Sequence, residues 1–133
     1  MQRIIALAGV VAAASALAGP AGATQVDLTA GCKEYGALSG GVITLGSGAP
    51  ANMCWFEESR GCTLEALQSG ACGNGGRRTT GYLTQAARYC AWLGGEVAVA
   101  ESGEPGLDEI DGICTLPGGR SCVIGRLYYG TCD

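Results

Sequence analysis

The sequence predicts a small disulfide-rich α+β protein made of two tandem modules. Each module is expected to hold a short helix, a β-hairpin and a short helix, with two disulfides. Three observations predict this. Eight cysteines sit in 133 residues. An apolar leader precedes all of them. The cysteine spacing is then written twice along the chain.

The leader comes first. Arg3 supplies a short positive region, residues 4–18 are uncharged and apolar, and Pro20 breaks any helix. Ala21 and Ala23 place small residues before a cleavage point. This is the layout of a secretory signal peptide over residues 1–23. The apolar run is shorter than the ~20 residues a membrane-spanning helix needs. Thr29-Ala30-Gly31-Cys32 is like a lipoprotein box only superficially, because Asp27 separates it from the apolar run. The expected location is periplasmic or secreted, where an even number of cysteines reads as a disulfide framework. Thiolate zinc sites need close cysteine pairs, and the closest spacing here is C-x7-C. No metal and no cofactor is therefore expected.

The repeat follows. Cys32, Cys54, Cys62 and Cys72 are separated by 22, 8 and 10 positions, and Cys90, Cys114, Cys122 and Cys132 by 24, 8 and 10. The last three of each set are offset by 60, as are Arg60 and Arg120, Leu67 and Leu127, and Gly70 and Gly130. A Gly-Gly pair precedes a β-like run in each set, at Gly40-Gly41 and Gly94-Gly95. A fixed offset of this kind marks an internal duplication. The expected organisation is a first four-cysteine module over residues 24–73, a flexible glycine-rich linker over 74–81, and a second module over 82–133.

The second module has the clearer local signals. Leu83, Ala86, Ala87, Cys90 and Leu93 share one helical face with Cys90 inward. Thr84 or Thr80 is the expected N-cap, and Gly94 the expected stop. Residues 96–100 read as a strand with Val97 and Val99 on one side, 101–112 as a loop, and 113–116 as a second strand. Pro117-Gly118-Gly119 reads as a tight turn. Residues 122–129 read as a short helix closed by Gly130. The first module follows the same plan, with Glu57-Glu58-Ser59 at the turn and residues 63–67 helical. A core of this size rarely supplies more than ~3–5 kcal/mol, so staples are needed. Spacing leaves the pairing open. The favoured pairing joins helix cysteine to third and strand cysteine to last: Cys32–Cys62, Cys54–Cys72, Cys90–Cys122 and Cys114–Cys132.

Composition narrows the function. The chain has no His, so no Ser-His or Cys-His pair and no His-ligated metal can be built from it. Its net charge of −4 lacks the basic footprint of nucleic-acid binding. The cysteines are absorbed by bridges, which leaves no activated nucleophile, and the chain reads as non-enzymatic. Neighbouring carboxylates such as Asp108-Glu109 read as a solvated acidic patch. Trp55 and Trp92 read as packing residues. Arg60 and Arg120 recur at one position in both turns and are the candidate binding-loop residues.

The second module also resembles a known family. Its Tyr89-Cys90, Gly94-Gly95, the run from Gly112 through Cys114, Leu116, Pro117 and Gly119 to Arg120, then Cys122, Gly130 and Cys132 carry the resemblance. It is similar to a bacterial family of small exported cysteine-rich modules, catalogued as domain-of-unknown-function family 333 and often labelled haemolysin. The resemblance covers residues 84–133, and the first module shares only the cysteine spacing. The family has Asn-Pro-Ala where this chain has Thr84-Gln85-Ala86, Asp at Gly118, an acidic-Trp pair at Ile124-Gly125, and Arg at Tyr129. The framework is kept while charged and aromatic positions differ. The resemblance implies a fold and supplies no established activity. The expected function is an exported, non-catalytic protein with a structural or binding role at the cell envelope, its partner an envelope or extracellular protein. The competing readings are a protease-inhibitor-like secreted binding module and a membrane-active haemolysin. Lysis needs a long apolar or basic amphipathic segment. The acidic chain beyond the leader has none, so membrane insertion is not expected.

Overall fold

A computed structural model describes residues 25–132, with side chains from Asp27 onward. The expected signal peptide lies outside the described residues. The fold is small α+β, with five helices, two antiparallel sheets and four disulfides among the described residues. The elements run α1 (Gln25–Lys33), β1 (Ser39–Thr44), β2 (Pro50–Trp55), β3 (Arg60–Thr63), α2 (Leu64–Ser69) and β4 (Arg77–Arg78). They continue as α3 (Gln85–Trp92), β5 (Glu96–Ala98), α4 (Pro105–Ile110), β6 (Ile113–Thr115), β7 (Ser121–Val123) and α5 (Ile124–Tyr129).

The first sheet has the order β1-β2-β3-β4, and the second β5-β6-β7. Each therefore has a three-strand meander where a hairpin was expected. The extra strand is the one after the turn, β3 in the first sheet and β7 in the second, which pairs back onto the middle strand. Residues 77–78, inside the stretch expected to be a flexible linker, pair with Gly61 and Arg60 as β4. In the second sheet Cys122 lies on β7, so the last helix starts two residues later than expected, at Ile124. The stretch read as a loop at 101–112 contains α4, whose first residue is Pro105. Proline suits that position because its missing N–H is one of the unpaired helix-start donors anyway.

The disulfide pairing corrects the expectation. The bridges are Cys32–Cys54, Cys62–Cys72, Cys90–Cys114 and Cys122–Cys132, with Cα separations of 5.3, 6.4, 5.8 and 6.0 Å. First joins second and third joins fourth, in both sets. The reason is which flanking segment reaches which strand. Cys54 faces Cys62 across β2 and β3, and Cys114 faces Cys122 across β6 and β7. Directly opposed residues in an antiparallel pair project to the same side. The preceding helix reaches the middle strand's cysteine, and the short helix after the third strand returns its terminal cysteine to that strand. Each bridge spans 10 to 24 residues, so each restricts the unfolded chain by about 3 kcal/mol.

Two cores form on these staples. The larger gathers Leu28, Cys32, Ala37, Cys54, Cys62, Ala66, Leu67 and Cys72. The smaller has only Ala86, Cys90, Cys114 and Ile124, with Val97, Leu116, Leu127 and Tyr128 packed against it. On α3, Ala86, Ala87 and Cys90 are buried as the periodicity predicts, but Leu83 is 62 % exposed. Leu83 precedes the helix, and the N-cap is Thr84, whose hydroxyl accepts the Ala87 N–H. A residue before the cap no longer follows the helical face.

The halves pack on each other. Trp55 and Trp92 meet edge to face with ring centres 5.3 Å apart. Arg77 donates to the Gly95 carbonyl at 3.1 Å and pairs with Glu96 at 3.3 Å. Gln85 Nε2 donates to the Thr44 carbonyl and to the Tyr128 hydroxyl. Among the described residues, no helix is long and apolar enough to cross a membrane.

Candidate functional site

Arg60 and Arg120 occupy one position in two equivalent turns. The Phe56 N–H donates to the Arg60 carbonyl at 2.9 Å, and the Leu116 N–H donates to the Arg120 carbonyl at 2.7 Å. Their side-chain settings differ. Arg120 is exposed at the end of a Pro-Gly-Gly turn. Arg60 is half-buried and lines a cleft of about 480 Å3 where α3 crosses the β2–β3 end of the first sheet. The structure joins Arg60, Trp55 and Phe56 of the first turn to Tyr82 and Arg88, which carry no binding signal in the sequence, and it leaves Arg120 outside this cleft.

The cleft is built from three segments. Trp55 and Phe56 come from the end of β2, Thr79 to Tyr82 from the chain after β4, and Arg88 and Trp92 from α3. The segment after β4 is held in place because the Ser59 carbonyl accepts both the Thr79 N–H and its hydroxyl, at 3.0 and 3.1 Å. Arg88 Nη2 donates to the Tyr82 carbonyl at 2.8 Å, which fixes the guanidinium at the cleft wall. Arg60 has no side-chain partner among the described residues. Two cationic side chains and no carboxylate line the cleft, within a chain of net charge −4.

Trp92 is 5 % exposed and its indole Nε1 has no hydrogen-bond partner. It lies beside Gly61, where an added Cβ would stand 3.0 Å from Trp55 and 3.2 Å from Trp92 Nε1. Glycine there lets β3 approach both rings. Trp55 and Trp92 do pack, and they also form the aromatic wall of the cleft.

A second hollow of about 340 Å3 adjoins on the other side of Arg60 and carries Glu57 and Glu58. Glu58 pairs with Arg78 at 3.6 Å. Its two carboxylates make that hollow unsuited to an anion.

Glu109 is the residue whose setting departs furthest from expectation. Read as part of a solvated patch, it is 5 % exposed. Its carboxylate accepts the Leu83 N–H, the Thr84 N–H and the Thr84 hydroxyl at 2.8, 2.8 and 2.7 Å. Burial pushes this carboxyl up, but those hydrogen bonds and the nearby Arg88 outweigh it and hold it below the usual range. Glu109 thus anchors the start of the helix that carries Arg88 and Trp92 into the cleft. Its neighbour Asp108 remains outside the core and accepts bonds from Ser102 and Gly103, which lower its carboxyl. No sequence pattern links residue 109 to residue 84, so only the packing of α4 against α3 reveals the contact.

All eight cysteines named as framework residues are disulfide-bonded. Among the described residues, no three His, Cys, Asp or Glu side chains converge as a metal-ligand group. Comparison with known proteins gives no match to a family model, to a curated protein or to a solved structure.

Proposed function

We propose that this chain is an exported, non-catalytic binding protein of the cell envelope, made of two tandem four-cysteine units over residues 24–73 and 82–133. Residues 1–23 act as its signal peptide, and it works in the periplasm or the medium. The observation that carries the reading is the repeated staple. Both halves join first cysteine to second and third to fourth, around the facing pairs Cys54 and Cys62, and Cys114 and Cys122. A framework of this kind persists in oxidising compartments. The absence of any His and the bonding of every Cys leave no thiolate or imidazole nucleophile in the chain. The likeness to family 333 belongs to the same proposal and supports the fold, not an activity.

The test is export of the full chain from a bacterial host, followed by intact mass and thiol titration. The expected product starts at Thr24, lies outside the cytoplasm and has no free thiol. An uncleaved chain with free thiols in the cytoplasm overturns the reading. The protease-inhibitor-like alternative draws on the exposed Arg120 turn, stapled nearby by Cys122–Cys132. Inhibition of a trypsin-like protease that is lost in Arg120→Ala is its mark.

A further inference from the structure

We propose that the cleft between Trp55, Arg60, Tyr82, Arg88 and Trp92 binds the carboxylate end of a peptide that terminates in an apolar or aromatic residue. This deepens the binding role proposed above by naming the chemistry of the partner. Three observations carry it.

The first is charge. Arg60 and Arg88 line the cleft and no carboxylate does. Arg60 has no side-chain partner among the described residues. Arg88 spends one nitrogen on the Tyr82 carbonyl and keeps further N–H donors. A guanidinium fork matches a carboxylate in two parallel hydrogen bonds.

The second is the apolar wall. Trp55, Phe56 and Tyr82 give partly exposed ring surface beside the cations, and the buried Trp92 borders the same cleft. A ligand that is only an anion would leave those rings wet. One with an apolar body beside its carboxylate uses both.

The third is size. About 480 Å3 lies within the range of small-ligand sites and holds a terminal residue with its carboxylate. The Thr80 rim continues β4, whose outer edge has no strand beside it among the described residues.

The chain supplies its own probe. Its two tryptophans both line the cleft, so tryptophan emission reports on this site alone. Purified oxidised protein is titrated with N-acetylated alanyl-alanyl-phenylalanine, with the C-terminal amide of the same peptide, and with inorganic phosphate. The acid is expected to change the emission saturably, and the amide to bind about tenfold more weakly for loss of the paired charge. Arg60→Gln is expected to weaken the acid by about tenfold and Arg120→Gln, its counterpart outside the cleft, to leave it unchanged. No saturable change, equal binding of acid and amide, or displacement of the peptide by equimolar phosphate overturns the proposal. The acid–amide comparison is made on the unsubstituted protein, so it stands if Arg60→Gln fails to fold. The export and thiol measurements use other readouts, so failure here leaves them untouched.

Discussion

The turn after β2 and the turn after β6 share a hydrogen-bond frame but reach it with different residues. In the second, Gly118 and Gly119 take φ values of +103° and +94°. In the first, Glu58 and Ser59 take +59° each at the matching positions. Side chains in that region cost roughly 1–2 kcal/mol per residue, a cost glycine escapes. The first turn tolerates it because β4 stands beside it. Thr79 donates twice to the Ser59 carbonyl, and Arg78 pairs with Glu58. The second turn has glycine and no strand beside it, since β7 pairs only with β6 among the described residues. One half satisfies the turn locally, and the other holds it by tertiary contact. The same tertiary contact builds the cleft next to Arg60, which is why the two equivalent arginines have different surroundings.

The comparison extends to the cores, and there it can be broken most visibly. The first core buries eight residues and the second four, so the second depends more on its staples. Replacing Cys90 and Cys114 by Ala is expected to cost about 3 kcal/mol or more, and replacing Cys32 and Cys54 about 3 kcal/mol. Urea midpoints of the two double variants check this. A smaller loss in the second half would refute the ranking.

Glu109→Ala comes next. It leaves the Leu83 and Thr84 N–H groups without their acceptor, at about 1–3 kcal/mol. Because the Glu109 carboxyl is held below its usual 4.5, its contribution is present above that pH and is lost as pH falls through the folded value. The stability gap between wild type and variant should therefore be full at neutral pH and narrow in acid, read from denaturation midpoints along a pH series. A gap that widens in acid contradicts the assignment.

The turns themselves give smaller effects of opposite sign. Gly118→Ala or Gly119→Ala should destabilise by about 1 kcal/mol, whereas Ser59→Gly should stabilise by up to about 1 kcal/mol. Equal signs in thermal denaturation would show that β4 removes the strain entirely. Smallest is Arg78→Gln. Its exposed pair with Glu58 at 3.6 Å contributes below about 0.5 kcal/mol, so a midpoint shift no larger than that is expected.

Much of the fold is legible in local pattern. The Cys90 face of α3, its Thr84 cap, the strands near Val97 and Cys114 and the Pro117 turn all follow from nearest-neighbour stereochemistry. The small α+β class and the eight bonded cysteines follow from composition. Leu83 was misplaced by a periodicity extended past the cap. The helix at Pro105 was hidden by glycine and acidic residues that usually mark loops.

Local stereochemistry, the cysteine count and the repeated spacing are properties of the chain, because they depend on residues near one another or on arithmetic along it. Partner choice is not. Which cysteine meets which is set by the leading helix of each set reaching the middle strand and by the chain after the last helix returning to the third strand. Whether an arginine faces solvent or a cleft is set by β4 joining the first sheet and α3 packing against it. Glu109 turns inward because α4 packs on the start of α3. Each of these joins segments separated by tens of residues or by a strand pairing, and only packing in three dimensions brings them within reach.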